Sequence, residues 1–150
     1  MNELKGLGSL EGKTHILPIS VYYEDTDLSG VVYHANYLRY MERGRTEFFR
    51  LAGISKMAGL DEEEPTAWAI RSVRVDYHRP ARLDDLIQVR TNLTGLTGAR
   101  MNALQRVTCG ERLLVEGRIE ACITTLTGKP RRLPKNVLQT LAPFLVADET

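Results

Sequence analysis

The chain has 150 residues and two cysteines, and 20 Lys and Arg against 19 Asp and Glu leave a formal charge of +1. That length favours one domain with a real hydrophobic core, and the charge balance removes any electrostatic reason to expect a nucleic-acid partner. Two cysteines are too few for a disulfide framework, and no apolar run approaches the ~20 residues of a membrane span.

Cys109 and Cys122 therefore read as reduced thiols in a cytoplasmic protein. Residues 1–13 are polar and glycine-rich, lack the apolar core of a signal peptide, and read as a flexible tail ahead of one domain over residues 14–146. His15 to Tyr23 has β-type composition, and Pro18 marks an edge or a bulge. A glycine-containing turn follows.

From Ala35 to Ala52 the periodicity is helical. Tyr37, Met41, Gly44, Phe48 and Leu51 share one face, widened by Leu38, Phe49 and Ala52. Gly44 in mid-helix costs about 1 kcal/mol against Ala, so a close approach to a sheet is expected there. Gly53 supplies the stop, and Asn36, or a residue just before it, supplies the cap. Residues 55–64 read as a short helix or turn closed by Pro65.

The rest is sheet. Strands are expected over residues 67–78, 85–93 and 99–108, with a hairpin turn at Cys109-Gly110-Glu111. Leu113, Val115, Gly117, Ile119, Ala121 and Ile123 then alternate with Leu114 and a mostly polar set, marking one buried face. Pro134 opens a short last helix limited by Pro143. Short connections favour antiparallel neighbours. One long helix against one antiparallel sheet is an α+β architecture.

The chemistry concentrates in residues 22–37, Tyr-Tyr-Glu-Asp-Thr-Asp-Leu-Ser-Gly-Val-Val-Tyr-His-Ala-Asn-Tyr. Asp27 sits in the turn between strand and helix. A helix start gathers unpaired N–H groups and the positive end of a dipole. A carboxylate beside it can attack a carbonyl, or activate water, while those N–H groups hold the developing oxyanion. An acyl ester or thioester suits that arrangement, and so does a phosphate. Asp25 is the alternative carboxylate, and Asp27 could equally cap the turn. Glu47 lies three turns along the helix, ~16–20 Å from its start, too far to share a carbonyl with Asp27 in one chain.

These motifs, with Glu42-Arg43-Gly44-Arg45-Thr46-Glu47, the run from Asp76 to Asp85, Gln105-Arg106 and Lys129-Pro130-Arg131, resemble the hotdog-fold acyl-CoA thioesterases. Within them the chain is most similar to the Tol-Pal-associated YbgC-like subgroup, related to the 4-hydroxybenzoyl-CoA thioesterases. The resemblance runs from about Ile19 to Lys135. It implies an α+β hotdog fold in which an antiparallel five-stranded sheet wraps one long helix. It also implies a homodimer or homotetramer with sheets paired edge to edge, a site at the dimer interface, and an acyl-CoA substrate. No cofactor and no metal are implied, and an association with the Tol-Pal envelope machinery follows only from the subgroup. Asp27 matches the family's active-site Asp, and the His34 N–H matches its oxyanion donor. Gly30, Val31, Val32, Tyr33, Asn36 and Tyr37 are carried over as substrate-binding positions, although packing and capping explain Tyr33, Asn36 and Tyr37 equally well. Arg100, Arg131 and Arg132 are candidates for the coenzyme A phosphates. Arg79 and Arg82 read instead as partners of Asp84 or Asp85.

Three rivals are weighed against this. Asp25-Thr26-Asp27 superficially matches the nucleophile–acid pair of magnesium-dependent phosphatases, which need a parallel α/β sheet. Asp25, Asp27 and His34 could hold a metal, though no second His lies nearby. A non-catalytic acyl-binding scaffold could share the fold.

Overall fold

The computed structural model describes residues 6–54 and 64–148. The elements are β1 (Ser9–Glu11), β2 (Thr14–Ser20), α1 (Asn36–Ala52), β3 (Thr66–Tyr77), β4 (Leu86–Leu96), β5 (Arg100–Cys109), β6 (Arg112–Thr125), β7 (Pro130–Arg131) and α2 (Lys135–Leu141). The sheet runs in the order β1-β2-β4-β5-β6-β3, antiparallel throughout, with β7 on β6. α1 lies across one face, mainly over β2 and β4.

The five long strands are those the sequence marks, and two short ones join them. β7 pairs with Ile123 and Thr124 just where β5 ends opposite Cys122. β1 is a correction to the expected tail: Gly12, at φ +61°, closes a tight hairpin that pairs Glu11 with Thr14 and Ser9 with Ile16. Pro18 falls beyond the end of β1, where β2 has an open edge and no ladder bond is lost. The short helix or turn expected at residues 55–64 lies almost wholly outside the described residues.

A second correction concerns β3. Its short connection to β4 led to the expectation that the two are neighbours. Instead β3 pairs with β6 at the sheet edge, and β4 lies between β2 and β5. The eight residues between Tyr77 and Leu86 can span ~26–29 Å extended, whereas three inter-strand steps need only ~14–15 Å. The linker crosses the end of the sheet, held by the N–H groups of His78 and Arg79 on the Leu114 carbonyl. This crossover supports the candidate site.

The helix buries Tyr37, Tyr40, Met41, Gly44, Phe48 and Phe49. Tyr40 replaces Leu38, which is 44% exposed, so the buried stripe is turned slightly from the expected one. Gly44 is where the layers meet most closely: a Cβ there would stand 2.8 Å from a Val89 methyl. Gly53 ends the helix in the left-handed region at φ +105°. The core divides into a cluster around Tyr37, Met41, Val89, Val107 and Val115 and another around Phe48, Phe49, Leu93, Met101 and Leu141. Phe144, in the turn after α2, meets Phe48 edge-on at 5.3 Å. The alternation along β6 holds from Val115 onward. A bulge places the extra Leu114 between Leu113 and Val115, so Leu114 is buried and Leu113 only partly so.

His15 is fully buried, stacked on Phe48 at 5.5 Å, with Nε2 against the Leu7 carbonyl at 2.9 Å. Its Nδ1 has no partner among the described residues. Burial holds its pKa below the ordinary 6.5, against the pull of the Leu7 carbonyl and the Glu47 charge. The unfolded chain therefore binds a proton here that the folded chain resists. The stability from a neutral His15 is present above pH ~6.5 and is lost as pH falls from there through the folded pKa, at up to ~1.4 kcal/mol per pH unit. Urea midpoints between pH 7.5 and 5 are expected to fall in the parent and to fall less steeply in His15→Gln. Equal slopes would remove His15 as the cause.

Candidate active site

The segment from Val21 to Asn36 folds into a small hairpin seated on the crossover. Gly30 N–H donates to the Asp27 carbonyl at 3.1 Å and Asp27 N–H to the Val31 carbonyl at 2.9 Å. Gly30 takes φ +80°, which a side chain would resist. Thr26 bridges Val32 and Val31 bridges Arg82. Val32 N–H donates to the Ala81 carbonyl at 2.8 Å, and the Val32 side chain is buried in the core.

Asp27 projects from the tip of this hairpin into solvent. Its Oδ1 accepts from the Ser29 N–H at 2.8 Å and the Ser29 hydroxyl at 2.5 Å. The Ser29 hydroxyl, then its N–H, lower the Asp27 pKa from the usual carboxylate value, with a smaller pull from His34. The carboxylate is ionised at neutral pH. One oxygen caps the turn, as the alternative reading required, and the Val31 N–H adds a weaker pull on the carboxylate.

Asp25 has a different job. Its side chain accepts the Tyr22 N–H at 2.8 Å, and its carbonyl accepts the Tyr33 N–H at 3.0 Å and the Asn36 side chain at 2.9 Å. It ties the two ends of the segment together. Asn36 and Tyr37 are bracing groups too: Tyr37 is buried, and its hydroxyl accepts the Ala81 N–H at 3.0 Å. Packing and capping thus account for both, as they do for Val32. Glu47 pairs with Arg50 at 2.7 Å and accepts the Leu7 N–H.

His34 lies two residues before the first helical residue, in a turn closed by the Asn36 N–H on the Tyr33 carbonyl at 2.8 Å. The helix cap is Ala35, with no side-chain cap bond. Among the described residues no acceptor takes the His34 N–H. The His34 ring sits between the exposed ring of Tyr33, at 4.6 Å, and that of Tyr77, at 6.2 Å.

The basic candidates do not converge on this turn within one chain. Arg100 pairs across from Cys122 on β6 and Arg131 from Ile123, while Tyr77, beside His34, pairs across from Val115. Seven residues along β6 amount to ~23 Å. Arg100 is engaged with Glu120 at 2.9 Å and Arg131 with Glu64. The cation whose backbone lies beside the Asp27 hairpin is Arg82. Its N–H, not its guanidinium, is bonded to Asp85. Tyr77 and Arg82 both lie in the run from Asp76 to Asp85, but only the crossover path reveals that they adjoin the turn.

Among the described residues no group of three His, Cys, Asp or Glu comes together as a metal site. The antiparallel sheet overturns the phosphatase rival, which needs a parallel one. A cavity of about 260 Å³ opens between α1 and β3, lined by Glu42, Arg45, Phe49, Trp68, Ile70 and Met101 among others. Glu42 is eight residues beyond His34, ~12 Å along a helical axis.

A long helix laid on an antiparallel sheet, entered through a carboxylate-bearing turn, defines a hotdog-fold domain. The same fold is found in a hypothetical protein from Thermus thermophilus, TT1821, with a TM-score of 0.79 and 26% identity over 89% of this chain and 98% of that one. The model of the thioesterase-like superfamily matches residues 21–141, and the chain belongs to that superfamily. It is a homologue of the acyl-CoA thioester hydrolase YbgC of Escherichia coli O6:H1 (strain CFT073), 40% identical over 123 residues that cover 81% of this chain and 90% of that protein. The acyl-CoA thioesterase YbgC of Haemophilus influenzae is 38% identical over 80% of this chain and 88% of its own. A probable thioesterase from Bartonella henselae superposes with a TM-score of 0.76 at 41% identity, covering 81% of this chain and 99% of that one. Among the described residues no helix is long and apolar enough to cross a membrane.

Proposed function

We propose that this chain hydrolyses an acyl-CoA thioester to a free carboxylic acid and coenzyme A in the cytoplasm. A thioester carbonyl is electrophilic and thiolate leaves readily, so a nucleophile or base and an oxyanion donor suffice. Asp27 fills the first role. Either its carboxylate attacks the carbonyl carbon, expelling the thiolate and leaving an acyl anhydride that water cleaves, or it takes a proton from the attacking water. The His34 N–H fills the second, steadying the oxygen that gains charge. The reaction consumes only water.

The observation that carries this reading is the pairing of an exposed, ionised carboxylate with an uncommitted amide at the entrance to α1. The exposed Tyr33 and the Gly30-Val31 backbone flank the carbonyl. The cavity beside Trp68 and Phe49 takes the far end of the acyl group. The distance to Arg100 and Arg131 fits a site completed by a second copy, paired through the open edge of β3, where Ile70, Val73 and Tyr77 are each more than 40% exposed. Exposed ion pairs such as those holding the two arginines are worth only ~0–1 kcal/mol, so a phosphate can displace them. Arg82 is the cation from the same chain.

The test is a ladder of acyl-CoAs from acetyl to palmitoyl, with benzoyl and hydroxybenzoyl forms, read by thiol release, with the mass measured by light scattering. Turnover of at least one substrate by a dimer or larger assembly is expected. Tight binding with no release across the ladder favours the scaffold reading, and an active monomer refutes the shared site.

A further inference from the structure

We propose that Tyr77 is a positioning residue for hydrolysis: from the end of the edge strand, its hydroxyl grips the His34 carbonyl and so restrains His34 from the side of its Cα opposite the N–H that meets the thioester oxygen. The inference rests on the functional reading of Asp27 and His34 above.

The Tyr77 hydroxyl donates to the His34 carbonyl at 2.9 Å. A peptide unit is planar and trans, so pinning that carbonyl also fixes the Ala35 N–H at the other side of the same unit and restricts ψ of His34. The turn is otherwise held from its own segment. The Tyr33 N–H reaches the Asp25 carbonyl, the Asn36 N–H reaches the Tyr33 carbonyl, and the Asn36 side chain reaches back to Asp25. The Asn36 bond to the Tyr33 carbonyl holds the peptide unit that carries the His34 N–H. Among the described residues, the hydrogen bond that holds the next unit, through the His34 carbonyl, comes from Tyr77, across 43 positions of sequence. The Tyr77 ring also meets the His34 ring edge-on at 6.2 Å and the Tyr37 ring at 5.7 Å. Tyr37 in turn holds the crossover through Ala81. The donor turn, the start of α1, the crossover and the last residue of β3 are thereby joined through one phenol.

Tyr77 is 49% exposed, and phenylalanine would keep its ring contacts. Its hydroxyl is spent on a carbonyl that no helix or sheet ladder requires. Burial of the remaining half raises its pKa above the ordinary phenol value, so it stays a donor throughout the neutral range.

The experiment compares Tyr77→Phe, Asp27→Asn and the double variant in the otherwise intact chain, using the best acyl-CoA from the ladder. Displacing a reacting group by ~1 Å can cost about a hundredfold in rate. Tyr77→Phe is expected to lower kcat by about ten- to a hundredfold with KM within about twofold and the melting temperature nearly unchanged. The double variant is expected to be no slower than Asp27→Asn, because both changes disable one step. Unchanged kcat, a rise in KM alone, or parallel losses of kcat and melting temperature would each overturn the proposal. Normal turnover in Asp27→Asn removes the underlying reading instead, whatever Tyr77→Phe does. If Tyr77→Phe does not fold, the tyrosine is structural and the proposal is overturned.

Discussion

Asp27→Asn is expected to lose about 10²–10⁴-fold in acyl-CoA hydrolysis while keeping its fold and assembly. The substitution is selective because Asp27 does two things at once. Its Oδ1 accepts both bonds from Ser29, and an asparagine carbonyl, with two lone pairs, can accept both, though more weakly. The hairpin from Thr26 to Val32 therefore survives. What is removed is the negative charge and the basicity of the second oxygen. In the parent, the pull of Ser29 keeps Asp27 ionised below the ordinary carboxylate pKa of 3.8, so the acid limb of activity due to this group lies below that value. A variant that melts with the parent yet retains more than about a tenth of its kcat would take Asp27 out of the reaction. Matching losses of activity and melting temperature would mean the charge is structural.

The same residues explain how far the sequence could be read. α1 was legible because its apolar spacing, its interior Gly44 and its terminal Gly53 are all local signals, and each reappears as a contact or a dihedral. β5 and β6 were legible because a glycine hairpin joins them and one face alternates. The place of β3 was not, since nothing in residues 78–85 says whether the chain turns back or crosses the sheet end. That choice is made by burial of Ala81 under Tyr37 and Val32, a contact among three separate segments.

The candidate site was legible in the same uneven way. Asp27 and His34 were singled out, and they share one hairpin and the turn that follows it. Asn36, Tyr37 and Val32 were also singled out, but they are committed to bracing it. Sequence proximity cannot separate a group facing solvent from one facing the core when the chain doubles back every few residues. Arg100 and Arg131 were chosen by likeness of location, and the register of β6 carries them to the opposite end of the sheet.

Gly44→Leu is expected to destabilise the protein by ~3 kcal/mol or more and to remove activity with it. A Cβ at this position meets a Val89 methyl at 2.8 Å, the Gln105 side-chain nitrogen at 3.1 Å and the Thr91 hydroxyl at 3.1 Å. All three residues are fully buried. Gln105 cannot simply step aside. Its nitrogen donates to the Met41 carbonyl at 2.8 Å and to Thr91 at 2.9 Å, and its oxygen accepts from Arg45 at 2.9 Å. Moving it leaves buried polar groups unpaired, at ~1–3 kcal/mol each, on top of ~1–3 kcal/mol for overpacking. Better helix propensity returns at most ~1 kcal/mol. Gly44→Ala sets the same gain against a smaller intrusion, and its melting temperature should fall between parent and Gly44→Leu. The alternative relief is for α1 to lift from β4. That shifts the His34 turn at its start, where ~1 Å can cost a hundredfold in rate. A Gly44→Leu protein with the parent's urea midpoint and turnover would show that the helix does not rest on the sheet through this glycine.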